Sequence, residues 1–232
     1  MAKAVARRLK FTYVDTGAMY RAVALKCLRD SIDIHSAESV ARVARGLDIR
    51  LEQSEDGLLE VFLNGENVTN EIRSQAVGGS VSAVAAVPAV REALVTMQRA
   101  MAKRGGVVMD GRDIGTVVLP DADVKVFLTA SLLERARRRH QELKANGVDT
   151  SLDQVMAQIN ERDALDSSRE LSPLRQADDA ILIDTTGKSV DQVVAEILAL
   201  CEQRLERGGR SVRKAGAGIS SKEEGGAGCS TI

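Results

Sequence analysis

The chain has 232 residues, 44% of them hydrophobic, which is enough to bury one core and to carry a small inserted subdomain. Its 32 basic residues nearly balance its 33 acidic ones, so no diffuse attraction to nucleic acid is encoded, and any anion must be bound by locally clustered arginines. Three widely spaced cysteines argue against a disulfide framework or a zinc site, and no apolar run reaches the length of a membrane span. The default expectation is a cytoplasmic enzyme without a nucleic-acid or membrane partner.

The first predicted elements are a helix, a strand and a second helix. Apolar residues one turn apart among basic ones predict an amphipathic helix over residues 2–10. Residues 11–14 are predicted to form a short strand that ends at Asp15. Gly17 is expected to supply the turn before a helix over about residues 19–28. This order is typical of an α/β fold.

An antiparallel meander then interrupts the α/β pattern. It follows a predicted helix over residues 37–45. Residues 47–51 and 59–63 alternate apolar and polar side chains across a turn at residues 55–57. A second turn at Asn64-Gly65 leads on to further apolar positions. Such interruptions usually project from the main sheet as a subdomain, so the meander is a candidate substrate-side insert.

The second half of the chain returns to alternating helices and strands. Pro88 divides the apolar stretch 76–102 into two predicted helices. Further apolar segments predict buried parallel strands, and two charged segments predict a helical hairpin. The predicted elements are strands 106–109, 124–128 and 180–184, hairpin helices that begin at Ser131 and cover 152–163, and a closing helix 190–207. Residues 208–232 hold seven glycines and few apolar residues, so this tail is predicted to be disordered.

Two segments combine an apolar strand with charged residues at its carboxyl end. They are Asp15-Thr-Gly-Ala-Met-Tyr-Arg-Ala22 and Asp110-Gly-Arg-Asp-Ile-Gly-Thr116. Ligands of open α/β sheets bind outside the carboxyl ends of the strands, where both segments and Asp184 are predicted to lie. The guanidinium group of arginine can donate two parallel hydrogen bonds to a phosphate. Phosphoryl transfer needs mainly the alignment of two anions and the neutralisation of their charge. The two segments therefore predict a phosphate-handling α/β enzyme.

Each cluster also has a simpler structural interpretation. An Asp-Gly-Arg-Asp sequence is often a solvated turn with a surface ion pair. The run from Arg135 to Arg139 can be a solvated helix face, and Thr16 can simply cap the helix that follows it. His35 and His140 are isolated among polar residues, so they are expected to be exposed rather than catalytic.

Taken together, the motifs resemble those of the bacterial-type cytidylate kinases. The resemblance spans about residues 2–205 and is carried by the two strand-end segments and by the spacings of Ser82 with Arg91 and of Arg162 with Asp166 and Arg169. It implies a P-loop nucleoside monophosphate kinase fold over residues 1–207, with a parallel sheet flanked by helices. The meander would belong to an insert of about residues 37–90, and the helical hairpin would form a lid of about residues 131–170. The implied reaction transfers the γ-phosphate of ATP to CMP or dCMP with Mg²⁺, in a protein expected to be a monomer.

Position by position, the resemblance also implies site residues. The implied catalytic residues are Arg112, Arg162 and Arg169, and the implied acceptor-binding residues are Thr16, Arg21, Ser82, Arg91, Asp113 and Asp166. Ser82, Arg91 and Asp113 would read cytosine; Arg21, Arg112 and Arg169 would hold phosphate; and Arg162 with Asp166 would engage sugar and phosphate. The chemistry of the side chains agrees with these assignments. A carboxylate can accept a hydrogen bond from the exocyclic amine of cytosine, and a guanidinium can donate two to a phosphate. Arg138 is the candidate contact to ATP, and no residue is assigned as a metal ligand.

The sequence departs from the family pattern at its N-terminus. The family's phosphate loop, Gly-x-x-x-x-Gly-Lys-Ser/Thr, should precede the helix that here begins at Ala2. The sequence does not contain this motif. A strand in the middle of the sheet, the loop lysine and a Mg²⁺-ligating hydroxyl would be missing with it, so we expect a gap in the core and low stability. We therefore expect Met1 to be an internal residue of a longer protein. Two functions stay open: a cytidylate kinase, active or impaired, and a remnant that binds pyrimidine monophosphates without transferring phosphate.

Overall fold

The elements follow the predicted order along the chain. The computed structural model describes residues 1–54, 58–145 and 147–207. The helices are α1 (Ala2–Leu9), α2 (Thr16–Arg29), α3 (Ala37–Arg45), α4 (Gln75–Ala86), α5 (Pro88–Ala102), α6 (Leu132–Ala145), α7 (Leu152–Ser168) and α8 (Val190–Arg207). The strands are β1 (Thr12–Asp15), β2 (Ile49–Gln53), β3 (Leu59–Leu63), β4 (Glu66–Asn67), β5 (Val107–Asp110), β6 (Val126–Thr129) and β7 (Ile181–Asp184). The turn predicted at residues 55–57 and the disorder predicted for residues 208–232 lie outside the described residues.

The parallel strands form two pairs. β1 pairs with β5, which sets Asp15 opposite Asp110, and β6 pairs with β7, which sets Thr129 opposite Asp184. Within the described ranges no ladder of hydrogen bonds joins one pair to the other. The prediction of parallel strands flanked by helices is confirmed, and the two charged segments follow the carboxyl ends of neighbouring strands.

A cleft of about 700 Å³ lies between the two strand pairs. Met109 of β5 lines it on one side, and Val126 and Leu128 of β6 line it on the other. The segments after β1 and β5 and the C-terminal half of α7 also line the cleft. Its position at the carboxyl ends of parallel strands is the usual ligand position in an α/β sheet.

Several predicted boundaries differ from the observed ones, most of them by one or two residues. α2 begins at Thr16 rather than near residue 19, and Gly17 lies in its first turn, because the Asp15 carboxylate caps the helix by accepting from the Ala18 N–H at 2.9 Å. β2 begins two residues later than predicted, since its register with β3 starts at Ile49. α7 runs on to Ser168, five residues beyond the predicted end at Asp163. This extension places Arg162 and Asp166 one turn apart on the same helix.

The meander shares its hydrophobic core with the surrounding helices. β2 and β3 pair antiparallel, as predicted for the meander, and the short strand β4 adds a third strand to the sheet. Its buried side chains pack in one cluster with those of α2, α3, α4 and α5. A second cluster lies between α1, α8 and the β6–β7 pair, and a third joins β1, β5 and α5. α5 packs in the first and the third cluster, which fixes it beside the strand ends and positions Arg91, the side chain that it presents to the cleft.

Among the described helices, no single one is both long and apolar enough to cross a bilayer. α4 and α5, which meet at a bend of 97°, reach the length and hydropathy of a membrane span only when taken together.

Candidate functional site

The cleft gathers the residues that the motifs singled out. All of the predicted catalytic and acceptor-binding residues line it except Ser82. Ser82 is half-buried on α4, next to Val81, whose side chain does line the cleft. The proposed contact of Ser82 with a base stays a prediction.

The ends of β1 and β5 are tied together at the floor of the cleft. Thr16 is buried, and its hydroxyl donates to the backbone carbonyl of Asp110 at 2.8 Å. The capping role considered for Thr16 is wrong, since Asp15 caps α2. Asp15 also accepts from Arg21 Nη2 at 2.8 Å, so Arg21 is held at the cleft by a carboxylate of the preceding strand.

Negative charge is concentrated where β1 and β5 end. The Asp110 side chain is exposed in the cleft, but the protein around it partly desolvates its carboxyl group, and this, with the nearby Asp15 carboxylate, raises the pKa of Asp110 to about 6. The hydroxyl of Tyr13 donates to Asp110, and burial followed by the charge of Asp110 raises the pKa of Tyr13. A carboxylate with a raised pKa beside a second one favours the approach of a cation.

A buried ion pair closes one side of the cleft. Arg91 of α5 donates to the Asp113 carboxylate, and the two side chains are only 7% and 5% exposed. Arg91 Nη1 also donates to the carbonyl of Ala85 at 3.2 Å, and its guanidinium lies 5.5 Å from the centroid of the Tyr20 ring. Among the described atoms the buried Nε of Arg91 has no hydrogen-bond partner. The Nε–H of Arg91 is therefore a free hydrogen-bond donor beside the Tyr20 ring. This arrangement suits the edge of a planar base.

A second group of charges surrounds Asp166. Its buried carboxylate accepts from Arg169, lies 3.1 Å from Arg112 Nε and lies 3.9 Å from Arg162 Nε. Burial, and then the positive charge of Arg112, lowers the pKa of Arg162. One carboxylate shared by three guanidinium groups leaves an excess of positive charge, which can bind an anion.

The helical hairpin contributes its own arginines. Arg135 of α6 pairs with Asp163 of α7, and Arg138 donates to the Thr185 carbonyl at 2.7 Å. Arg137 and Arg139 are exposed, so the solvated-face interpretation holds for them but is wrong for Arg135 and Arg138. The contact of Arg138 with ATP stays a prediction.

The sequence interpretation missed two residues of the cleft. Tyr20 lies inside a quoted motif but carries no charge, and its place under Arg91 depends on the packing of α2 against α5. Arg135 was interpreted as part of a charged run, but it pairs with Asp163 of α7, a contact that forms only when α6 packs against α7. The three-residue spacing of Arg135 and Arg138, which places both on one face of a helix, is a sequence signal that could have identified it.

The cleft brings together three kinds of charged group. A buried ion pair can receive a planar polar edge, an arginine cluster can bind an anion, and two strand-end carboxylates can attract a cation. This combination suits a nucleotide acceptor whose phosphate must be aligned with a second phosphate.

Comparison with known proteins agrees with this geometry. The family model described as cytidylate kinase matches residues 1–203. The cytidylate kinase of Pelotomaculum thermopropionicum is 53% identical over 199 residues, which cover 86% of this chain and 88% of the relative. The cytidylate kinase of Desulfitobacterium hafniense is 53% identical over 90% of this chain and 89% of its own length. That of Geobacillus thermodenitrificans is 50% identical over 88% of this chain and 91% of its own length. The family has the P-loop nucleoside monophosphate kinase fold, with which the parallel strands, flanking helices and small antiparallel sheet agree. The chain belongs to the cytidylate kinase family.

Proposed function

We propose that this chain transfers the γ-phosphate of ATP to CMP or dCMP, giving CDP or dCDP. The observation that carries the proposal is that the buried Arg91–Asp113 pair and the arginine group around Asp166 line the same cleft. A nucleoside monophosphate has a base at one end and a phosphate at the other, so it can engage both. The family to which the chain belongs supports the same reaction.

The roles follow from the chemistry of each side chain. The Asp113 carboxylate accepts from the exocyclic amine of cytosine and repels the carbonyl that uracil has in its place, while Arg91 holds Asp113 and Ser82 adds a hydroxyl. Arg21, Arg112 and Arg169 hold phosphate oxygens, and Arg162 with Asp166 engages the sugar and the phosphate. Guanidinium groups that are already oriented lower the barrier by stabilising charge as it develops on the transferred group. Thr16 keeps the two strand ends at a fixed separation below the acceptor.

Magnesium is expected to accompany ATP, and two residues of the cleft fit it. Arg21 balances only one of the two carboxylates, Asp15, and Asp110 forms no salt bridge with a described residue, so negative charge remains that a divalent cation would neutralise. Within the described ranges no group of three or more His, Cys, Asp or Glu side chains could hold a metal ion. Two carboxylates suffice for Mg²⁺, which keeps several waters and takes its remaining ligands from substrate phosphates. When bound, the ion would neutralise charge on the phosphates of ATP.

The remaining assignments belong to the same proposal. Residues 131–170 act as a lid, with Arg138 approaching ATP, and residues 37–90 form the acceptor-side insert. The protein works as a cytoplasmic monomer, without nucleic-acid or membrane partners. The near balance of 32 basic and 33 acidic residues supports the absence of a nucleic-acid partner.

A coupled assay of ADP release tests the transfer. With ATP and Mg²⁺, CMP and dCMP should each stimulate release strongly and UMP weakly. Arg112→Met should lower kcat by about a hundredfold or more, since it removes a charge that binds the transferred group. Arg42→Met is the matched control, because Arg42 is 74% exposed and pairs with Glu38 alone on the same helix. Release that responds to AMP or shikimate but not to CMP would contradict the proposal.

A second candidate is binding of pyrimidine monophosphates without transfer. The observation in its favour is that the sequence spells no Gly-x-x-x-x-Gly-Lys-Ser/Thr loop for the donor nucleotide. Titration calorimetry separates the two candidates. Heat of CMP binding without CMP-dependent ADP release supports the second candidate, and release supports the first.

A further inference from the structure

Arg99 connects α5 to the turn that follows Asp113. It lies about two helical turns after Arg91. Its Nε donates to the carbonyl of Val118 at 3.0 Å, and its Nη2 donates to the carbonyl of Val117 at 2.6 Å. One planar guanidinium therefore binds two successive carbonyls of the chain.

The segment that Arg99 binds is a single π-helical turn, Ile114–Val118. The last carbonyls of a helical segment have no partner inside it, and Arg99 satisfies two of them. At the other end of the turn, the N–H groups of Val117 and Val118 donate to the carbonyl of Asp113 at 2.9 and 3.2 Å. π-Helical turns are rare and occur often at functional sites.

These contacts close a loop that begins and ends on α5. Arg91 binds the Asp113 carboxylate, the Asp113 carbonyl binds the N–H groups of Val117 and Val118, and the carbonyls of the same two residues bind Arg99. The helix thus holds Asp113 directly through its side chain and indirectly through the turn. A change at Arg99 reaches the carboxylate through the backbone.

We infer that Arg99 is a positioning residue that sets the orientation of Asp113 toward the base of the acceptor. The inference rests on the proposed function, in which Asp113 accepts from the amine of cytosine. Arg99 is itself exposed and does not line the cleft, so it acts through Asp113 rather than on the nucleotide. Its loss should therefore weaken recognition of the base more than it disturbs the fold.

Calorimetric titration with CMP and with UMP tests this role on the intact chain. Arg99→Met keeps the aliphatic stem and removes both donated hydrogen bonds, so the Kd for CMP should rise about tenfold. The Kd for UMP should change little, so the preference for CMP over UMP should shrink. Arg99→Lys keeps one charged donor and should recover part of the CMP affinity, while the exposed control Arg42→Met should leave both Kd values unchanged.

Hydrogen exchange gives a readout that does not require the nucleotide. The Val117 and Val118 amides should exchange faster in Arg99→Met than in the wild type, because the turn that protects them is released. If the Met variant does not fold, the Lys variant supplies both measurements. An unchanged CMP preference in variants of Arg99 would overturn the inference alone. Failure of the wild-type chain to bind CMP would overturn the proposed function and this inference together.

Discussion

Replacing Asp113 by Asn should destabilise the folded chain, because it leaves the guanidinium of Arg91 buried without a counter-ion. The two side chains are 7% and 5% exposed, so water cannot compensate for the lost charge. Arg91 keeps its bond to the Ala85 carbonyl and its place beside Tyr20, which offset a part of the loss. Breaking a buried ion pair by changing one partner costs about 3–5 kcal/mol, and the retained contacts favour the lower end, about 3 kcal/mol.

The double variant separates the pair from its surroundings. Arg91→Met alone should also cost about 3 kcal/mol, since it leaves the Asp113 carboxylate buried and unpaired. Combining it with Asp113→Asn removes both charges, so the double variant should cost no more than either single change. The coupling between the two positions should then be about 3 kcal/mol.

Urea unfolding followed by circular dichroism at pH 7 measures these differences. For a domain of this size, 3 kcal/mol corresponds to a fall in Tm of about 6–12 °C, which thermal scans can check independently. Effects of the two single changes that simply add would refute the reasoning, because they would mean that the pair is solvated and uncoupled.

Three further predictions concern the strand ends and the arginine group. Gly111→Ala should destabilise the fold by about 1–3 kcal/mol in urea unfolding, since a Cβ there would lie 2.7 Å from Ile114 Cδ1; an unchanged midpoint would contradict this close approach. Asp110→Asn, in EDTA, should gain stability relative to the wild type as pH rises from 4 to 7, because the folded pKa of about 6 exceeds the unfolded value of about 3.9. Asp110 projects into the cleft, so the gain should not exceed about 1 kcal/mol, and a relative loss with rising pH would be the wrong sign. Asp166→Asn should weaken CMP binding about tenfold or more in calorimetry, because the arginines around it lose the carboxylate that orders them; tighter binding would mean that excess charge outweighs order.

Periodicity and local chemistry predicted the sequence of elements well. Alternation with a period of two predicted the β2–β3 pair, and Pro88 correctly divided α4 from α5. The charged residues after β1 and β5 were expected at one edge of a parallel sheet, and the register that sets Asp15 opposite Asp110 confirms it. These predictions succeeded because they depend on properties that neighbouring residues determine.

Features that depend on contacts between distant segments could not be predicted. The π-helical turn at Ile114–Val118 is bonded by Arg99, which lies on another element and has no motif of its own. The start of α2 was missed for a local reason, because the sequence offered both Asp15 as a cap and Gly17 as a turn, and the cap contact is the one that forms. The separation of the parallel strands into two pairs was expected only from the resemblance, as a gap in the core, because local patterns do not encode hydrogen bonding between strands.

A crystal structure of this protein in complex with CMP would test the central claim most directly. The account predicts that the cytosine amine lies within hydrogen-bond distance of the Asp113 carboxylate, and that the phosphate lies among Arg21, Arg112 and Arg169. CMP bound outside the cleft, or with its base among the arginines and its phosphate beside Asp113, would contradict it.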